Sequence, residues 1–598
     1  MFAWTEHELN AEQSAAVVLP GSVLLVACPG SGKTRTLIYK IAYELSRLES
    51  KRQFVVAITY TNRAADEITS RIEDLGVDTS RLWIGTIHAF CLEWILKPYR
   101  IYEPRLAYGY RVIDLHEREK LLEHLCAPYG APRVSPFDCD YFFADGRVKL
   151  GCPDTRKHDA IKTILQEYFR TLRASRQIDF EMILWFANRL VVANPAINIM
   201  LSQVFSMMLV DEYQDTKDIQ YQIIGTILRA GGGRTRLFMV GDPNQGIYGS
   251  LGGYPIEAEM LRELTGLPIA DRALSRNYRS SQRIIEYFGN FNAYGTRIEA
   301  AGPERFYGSL VTYNRTLSSG HLVPEIARLI RYNIQERGVP PHEICVLAPR
   351  WVHLAAMTRR LVTEVPECDF DGPGMVPFAR DIENFWYKLA RLALTEPSPS
   401  IYIRRLRWAG EVVAALSEAG VPTAGLDRKV LLKHCNAVEV DEVDGLAYLE
   451  GFFDSLFLRL RVDYHIYATL EEHRAAFFAS SLARIEQVER EGVGGAREVA
   501  FFRKVFQNRS GITVSTIHGV KGAEFDVVIV YALLEGMVPH FSDPDGPLSA
   551  RKLLYVASSR ARKNLHLFSE TGRRRGGNFG EYEPTQVLAE CAFNYDAV

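Results

Sequence analysis

The sequence predicts an α/β fold built from two parallel-sheet domains, each interrupted by an α-helical insertion. Three features predict it: short runs that are apolar at every position, polar and chemically loaded turns directly after several of them, and helical stretches between. The runs at 23–26, 54–58, 207–210 and 237–240 are each four or five residues long. Successive strand side chains point to opposite faces, so a run that is apolar throughout is buried on both faces, as in a parallel sheet covered by helices. Strand, helix, strand in succession is the βαβ pattern. A second set at 344–347, 513–515, 527–530 and 565–568 predicts a second sheet. Each set is interrupted by one long stretch that reads as helical and aromatic-rich, with no strand-plus-turn signal. The expected organisation is therefore 1–92 with 200–285 as the first sheet domain and 93–199 as its insertion. The second sheet domain is 286–395 with 506–580, its insertion is 396–505, and 581–598 forms a C-terminal tail.

Bulk properties agree. The chain has 598 residues, and roughly 100–200 residues per domain makes it a multidomain protein. Apolar residues are 47% and charged residues 24%, as in globular rather than disordered chains. A net charge of −2 argues against a nucleic-acid coating protein. It leaves room for a local basic groove, which is all that phosphate contacts need. The nine cysteines are scattered, with no CxxC pair. That spacing suits neither a metal site nor a disulfide framework; it suits reduced thiols and a cytoplasmic location. The opening MFAWTEHELN has no basic and apolar segments of a signal peptide, and no run of about 18 apolar residues predicts a membrane span.

The first loaded turn is Ala27-Cys28-Pro29-Gly30-Ser31-Gly32-Lys33-Thr34, a phosphate-binding loop pattern with Ala27 in place of the first glycine. It follows an apolar run and precedes a helical stretch at 36–45, the context such a loop requires. Gly30, Ser31 and Gly32 let backbone N–H groups approach an anion at the positive end of a helix. Lys33 reaches the β- and γ-phosphates of ATP, and the Thr34 hydroxyl holds Mg²⁺. The second turn is Asp211-Glu212-Tyr213-Gln214-Asp215, at the tip of the run 207–210. Ligands of α/β sheets bind at such strand ends. Taken alone, an acidic strand end is a solvated turn. After a phosphate loop, Asp211 reads as a Mg²⁺ ligand and Glu212 as the group that positions the attacking water.

From this point the sequence resembles the superfamily 1A helicases of the UvrD/Rep/PcrA type, and the likeness continues in family order from about residue 9 to 570. Leu9-Asn10-Ala11-Glu12-Gln13 resembles the Q motif, and 57–65 resembles motif Ia. Gly85-Thr86-Ile87-His88-Ala89-Phe90 resembles the next strand-contacting motif. Gly241-Asp242-Pro243-Asn244-Gln245-Gly246-Ile247-Tyr248 resembles motif III, and Asn277-Tyr278-Arg279-Ser280 resembles motif IV. Thr516-Ile517-His518-Gly519 through Glu524 resembles motif V, and 554–562 resembles motif VI.

The resemblance implies two RecA-like domains that clasp ATP and travel 3′ to 5′ on single-stranded DNA. It implies that Gln13 reads adenine, Tyr278 stacks on it, and Arg35 and Glu524 lie near base and sugar. Arg279 and Arg560 would be arginine fingers, and Gln245 a γ-phosphate sensor. Planar, permanently charged guanidinium suits the charge that develops on a transferring phosphoryl group. Tyr60 and Tyr248 would stack on bases, while Asn62, Thr86, His88 and His518 would touch the DNA strand. Without the resemblance, Tyr60 reads as a core aromatic.

The sequence also departs from the pattern. Ser250 and Leu251 stand where the family usually has Trp-Arg, Cys28 replaces a loop glycine, and the second insertion lacks the duplex-gripping Gly-Ile-Gly element. These departures favour translocation over processive unwinding. They leave open a nucleotide-gated DNA sensor or regulatory subunit of a nuclease complex. A chain this compact also resembles the helicase-like subunit of Gabija-type anti-phage systems, which implies a partner nuclease. A metabolic P-loop kinase, the remaining alternative, would need neither arginine motifs nor stacking tyrosines.

Overall fold

The computed structural model describes residues 2–598 apart from 114, 145, 373–376, 379–383, 491–494, 507–510, 542, 544 and 576–579. The chain divides into two compact units. The first is Met1–Arg315 with Leu533–Ser569 and Arg574–Val598; the second is Thr316–Ala532 with Glu570–Arg573.

In the first unit six strands pair in parallel. Their spatial order is Ile269–Leu274, Ser22–Ala27, Arg236–Gly241, Phe205–Asp211, Phe54–Thr59 and Leu82–Thr86. The central strands are the apolar runs read from the sequence. Phe205–Asp211 is buried along its whole length, because both of its faces are covered. The helix Lys33–Ser46 covers one face with Leu37, Ile38, Ile41 and Leu45. Val311–Asn314 and Ala561–Phe568 form a further parallel pair in this unit.

The first insertion is mainly helical, with Leu115–Cys126, His158–Ala174, Phe180–Ala193 and Pro195–Val204. It also holds two short antiparallel strands, Tyr141–Ala144 and Arg147–Leu150, which the sequence did not announce. Its buried polar knot is Asp179, whose carboxylate accepts from the hydroxyls of Tyr141 and Tyr168 and caps a helix through the Met182 N–H. The C-terminal residues, read as a tail, are docked. Asp596 accepts from the Val311 N–H and pairs with Arg283, and Phe593 and Tyr595 pack on Tyr287.

In the second unit four parallel strands lie in the order Phe525–Val530, Ile344–Ala348, Ile512–Thr516 and Phe370–Asp371. Its helical insertion contains Tyr402–Glu418, Arg428–Asn436, Gly445–Leu460 and Ala468–Arg490. These helices bury an aromatic core around Trp386, which is fully enclosed by Phe453, Phe457 and Tyr464 and donates from its indole N–H to the Leu470 carbonyl. The molecule therefore carries large parallel sheets of the kind found in two RecA-like domains, as the sequence predicts. Among the described residues no single helix is long and apolar enough to cross a membrane.

Candidate nucleotide site and nucleic-acid interface

The candidate site grows out of the C-terminal ends of the first unit's strands. Strand Ser22–Ala27 runs into the turn 28–32 and then the helix starting at Lys33. Gly30 and Gly32 both have left-handed backbone, with φ of 67° and 79°. Space excludes a side chain there as well. A Cβ on Gly32 would lie 2.5 Å from Gln13 Nε2, and one on Gly30 would lie 2.6 Å from Arg279 Cβ. The loop conformation and its two flanking motifs thus require glycine together.

Gln13 is locked from both ends. Its Nε2 donates to the Ser31 carbonyl at 2.8 Å, and its Oε1 accepts from the Asn10 N–H in a capping box at the start of helix Ala11–Val18. Asn10 Nδ2 donates to the Tyr278 hydroxyl at 2.8 Å. Tyr278 N–H donates to the Gly30 carbonyl, and Asn277 Nδ2 to the Pro29 carbonyl. The Q motif, the phosphate loop and motif IV are therefore one hydrogen-bonded body. Arg35 is exposed on the helix's first turn, 3.5 Å from the Glu8 carbonyl, and Thr34 is half-buried beside it.

Lys33 Nζ is buried with no hydrogen-bond acceptor and lies 3.6 Å from Glu212 Oε1. Glu212 is its ion partner, but no acceptor takes its hydrogen bonds, and a phosphate oxygen in the loop would fit them. Asp211 ends strand Phe205–Asp211, and Glu212 follows it at φ 53°. A left-handed non-glycine residue is a local strain of about 1–3 kcal/mol, of a kind that gathers at functional sites. Glu212 belongs to a continuous polar chain. Its carboxylate accepts from Gln214 Nε2, while Gln214 Oε1 accepts from the Asp242 N–H at 3.0 Å. Asp242 Oδ2 accepts from Gln245 Nε2 at 2.7 Å, and Gln245 Oε1 accepts from Arg560 Nη2 at 2.9 Å. Arg560 is fully buried, and Arg279 Nη1 donates to the neighbouring Ser559 carbonyl at 3.0 Å. Burial raises the Asp242 carboxyl above its ordinary range, with Lys33 opposing. Burial, with Asp242 adding to it, likewise pushes the Cys28 thiol up to about 12 and keeps it inert.

Gln214, Asn10 and Asn277 lie inside motifs, but the sequence alone assigns them no role. A clue for Gln214 lies next to Gly241, where a Cβ would come within 2.2 Å of Gln214 Oε1. Among the described residues no group of three His, Cys, Asp or Glu could by itself hold a metal. Mg²⁺ commonly keeps waters and phosphate oxygens and takes only one or two protein ligands, so the Thr34 hydroxyl and the Asp211 carboxylate, at the end of a strand of the same sheet, are of the right chemistry for it.

A second cluster sits at the ends of two neighbouring strands, where Thr59 registers with Thr86. Tyr60 and Tyr248 stack on each other, with centroids 5.1 Å apart and planes tilted by 25°. Tyr60 remains 43% exposed, so it is not the core aromatic that composition alone suggests. Burial raises both phenols, that of Tyr248 to about 12, so they stay neutral. Asn62 is exposed at the start of helix Asn62–Asp74, and Thr86 caps the helix beginning at Ile87. His88 Nε2 is buried without a hydrogen-bond partner, and its ring meets Phe180 edge-on at 5.7 Å. Burial first, and Lys217 second, lower its pKa to about 4. At neutral pH His88 is therefore an uncharged hydrogen-bonding group.

His518 and Glu524 belong to the second unit. His518 opens a short turn after strand Ile512–Thr516, held by the Gly519 N–H donating to Thr516 Oγ1. Glu524 is exposed just before strand Phe525–Val530.

Comparison with known proteins agrees with this geometry. Residues 9–256 match the UvrD/REP helicase N-terminal domain, and residues 502–571 match the UvrD-like helicase C-terminal domain. The chain is 23% identical to the ATP-dependent DNA helicase PcrA of Staphylococcus epidermidis, over 97% of this chain and 86% of that protein. It is 26% identical to the ATP-dependent DNA helicase UvrD1 of Mycobacterium leprae, over 94% of this chain and 82% of that protein. With PcrA of Staphylococcus aureus the identity is 24%, over 98% and 86%.

Proposed function

The chain belongs to the UvrD/Rep/PcrA-type helicases, and from that premise we propose that it is an ATP-driven motor that moves 3′ to 5′ along single-stranded DNA. One observation carries the coupling. The polar chain Glu212, Gln214, Asp242, Gln245, Arg560 joins the water-positioning carboxylate to an arginine more than 300 residues away in sequence.

In this reading Gly30, Ser31 and Gly32 cradle the phosphates, and Lys33 supplies the missing counter-charge to the γ-phosphate. Thr34 and Asp211 hold Mg²⁺, which neutralises phosphate charge when bound. Glu212 orients the attacking water. Arg279 and Arg560 stabilise the charge that grows on the transferring group, and Gln245, bonded to Arg560, senses whether that group is present. Gln13 and Tyr278 hold the adenine, with Arg35 and Glu524 near base and sugar. Tyr60 and Tyr248 stack on bases. Asn62, Thr86, His88 and His518 contact the strand. The proposed domain boundaries are those expected from the sequence.

The test combines two readouts. ATPase activity is expected to rise on adding single-stranded DNA, and the purified chain to displace streptavidin from a biotinylated 3′-to-5′ track with ATP. Stimulated hydrolysis without displacement would establish the rival sensor reading, which the exposed Ser250 and Leu251 at the Trp-Arg position favour. No stimulation would remove both. An anti-phage role beside a nuclease predicts that a nuclease co-purifies from the native host, and its absence there removes that role.

A further inference from the structure

The helical insertion of the second unit carries a cationic groove that none of the motifs explains. Helices Tyr402–Glu418 and Arg428–Asn436 pack together and leave an open groove of about 300 Å³. Tyr402, Lys429, Leu432, Lys433, Asn436 and Ala437 line it. Tyr402 is 46% exposed. Lys429 and Lys433 are one helical turn apart and exposed, and neither makes a salt bridge among the described residues. Helix Arg428–Asn436 has two lysines, an arginine and a histidine, and no acid. The neighbouring carboxylate, Asp427, caps this helix by accepting from the Lys429 and Val430 N–H groups, and its charge offsets only part of that of Lys429 and Arg428. The acids at 439–444 do not line the groove.

A second observation is independent of the lysines. Arg405 is 3% exposed and donates through Nη2 to Oδ1 of Asn436, one of the lining residues, and to the Leu392 carbonyl. Its Nε and Nη1 have no hydrogen-bond partner. Burial pulls its pKa down, and the groups opposing that shift are Cys435 and Tyr448, not a carboxylate. A buried guanidinium without a carboxylate, behind two exposed ammonium groups, leaves this face short of negative charge. A side chain held this way also fixes Asn436 as an amide aimed at a defined place.

We infer that this groove binds single-stranded DNA, with Lys429 and Lys433 on successive phosphates, Tyr402 stacked on an unpaired base and Asn436 hydrogen-bonding its edge. The groove is open, and its exposed tyrosine offers a face on which one unpaired base can stack. An exposed aromatic beside cations is the usual pairing for sequence-tolerant single-strand contacts. The insertion thus adds a grip on the strand whose residues all lie outside the motor motifs.

This inference rests on the DNA-binding reading above, and the test separates the two. Binding of the full chain to a fluorescein-labelled oligothymidine and to a blunt duplex is followed by anisotropy across a salt series. Lys429→Ala/Lys433→Ala is expected to flatten the slope of log affinity against log salt by about 1.4, because each single-strand phosphate contact contributes about 0.7. Tyr402→Ala is expected to weaken oligothymidine binding roughly tenfold with the slope and the duplex affinity unchanged. An unchanged slope in the lysine variant overturns the inference, as does a loss confined to the duplex. Failure of the unaltered chain to bind oligothymidine at low salt overturns the motor reading instead.

Discussion

Single residues here do work that their neighbours define. Arg560 is buried to 1% exposure, and its Nη2 is spent on Gln245. A surface arginine placed for solubility would not be enclosed in this way. Arg560→Ala is expected to lower kcat by roughly 10³-fold or more while KM for ATP moves much less, because a finger acts on charge that appears only in the transition state. Steady-state ATPase assays with saturating single-stranded DNA read the split. A rise in KM with kcat unchanged would show that Arg560 contributes uniform binding instead. Arg560→Lys, which keeps the charge and loses the planar fork, should recover little.

His88 gives a pH prediction of the opposite kind. Its folded pKa is about 4 against an ordinary value of 6.5, so the unfolded chain takes up a proton first as pH falls. Stability attributable to His88 is complete above pH 6.5, and is lost as pH drops from there to about 4. The loss is on the order of 3 kcal/mol. Urea unfolding of the wild type and His88→Gln across that window checks it. Equal pH slopes in the two proteins would refute the assignment.

At the scale of elements, the least expected device is a cation inside the first unit. Lys40 on helix Lys33–Ser46 is fully buried, and its ammonium donates to the Val17 and Leu19 carbonyls and pairs with Glu44 at 2.9 Å. Those carbonyls end the helix that carries Gln13, so Lys40 pins that helix to the one that follows the glycine-rich turn. Burial lowers the Lys40 pKa, and the Glu44 carboxylate opposes that shift. Removing one partner of a buried pair costs about 3–5 kcal/mol. Lys40→Met is expected near the lower figure, since Arg236 still neutralises Glu44. A shift of the urea midpoint worth under about 1 kcal/mol would show the pair to be dispensable.

Composition gives no warning of this lysine, because its sequence neighbourhood is that of an ordinary amphipathic helix. Strands divide along the same line. The eight runs all lie inside observed strands; six are apolar at every position, since burial on both faces leaves an unbroken hydrophobic signal, while Thr513, Ser515 and His566 interrupt the other two. The missed strands are short or lie at an edge. Ile269–Leu274 is exposed or half-buried at its four middle positions, and Phe370–Asp371 spans two residues. One-sided burial erases the signal that the sequence was read for. In the site, the residues that motifs spell out were legible. Gln214 and Asn10 were not, because their importance lies in partners brought close only by the fold.

For the whole molecule, the balance of charge decides how DNA can be held. With 70 basic and 72 acidic residues, no long-range field draws a polyanion in. Affinity must come from a few local phosphate contacts and from stacking, which responds differently to salt. Stacking displaces no counterions, so it survives where phosphate contacts fail. The Tyr60–Tyr248 pair offers stacking faces at the strand ends beside Thr86 and Asn62. Tyr248→Ala is therefore expected to weaken single-strand binding by roughly tenfold at every salt concentration, with the log–log salt slope unchanged. Anisotropy titrations with oligothymidine from low to high salt measure both quantities. A change in slope would mean that the tyrosine positions cations rather than bases. No loss of affinity at any salt would mean that the stacked pair is a structural plug, and that the strand runs elsewhere.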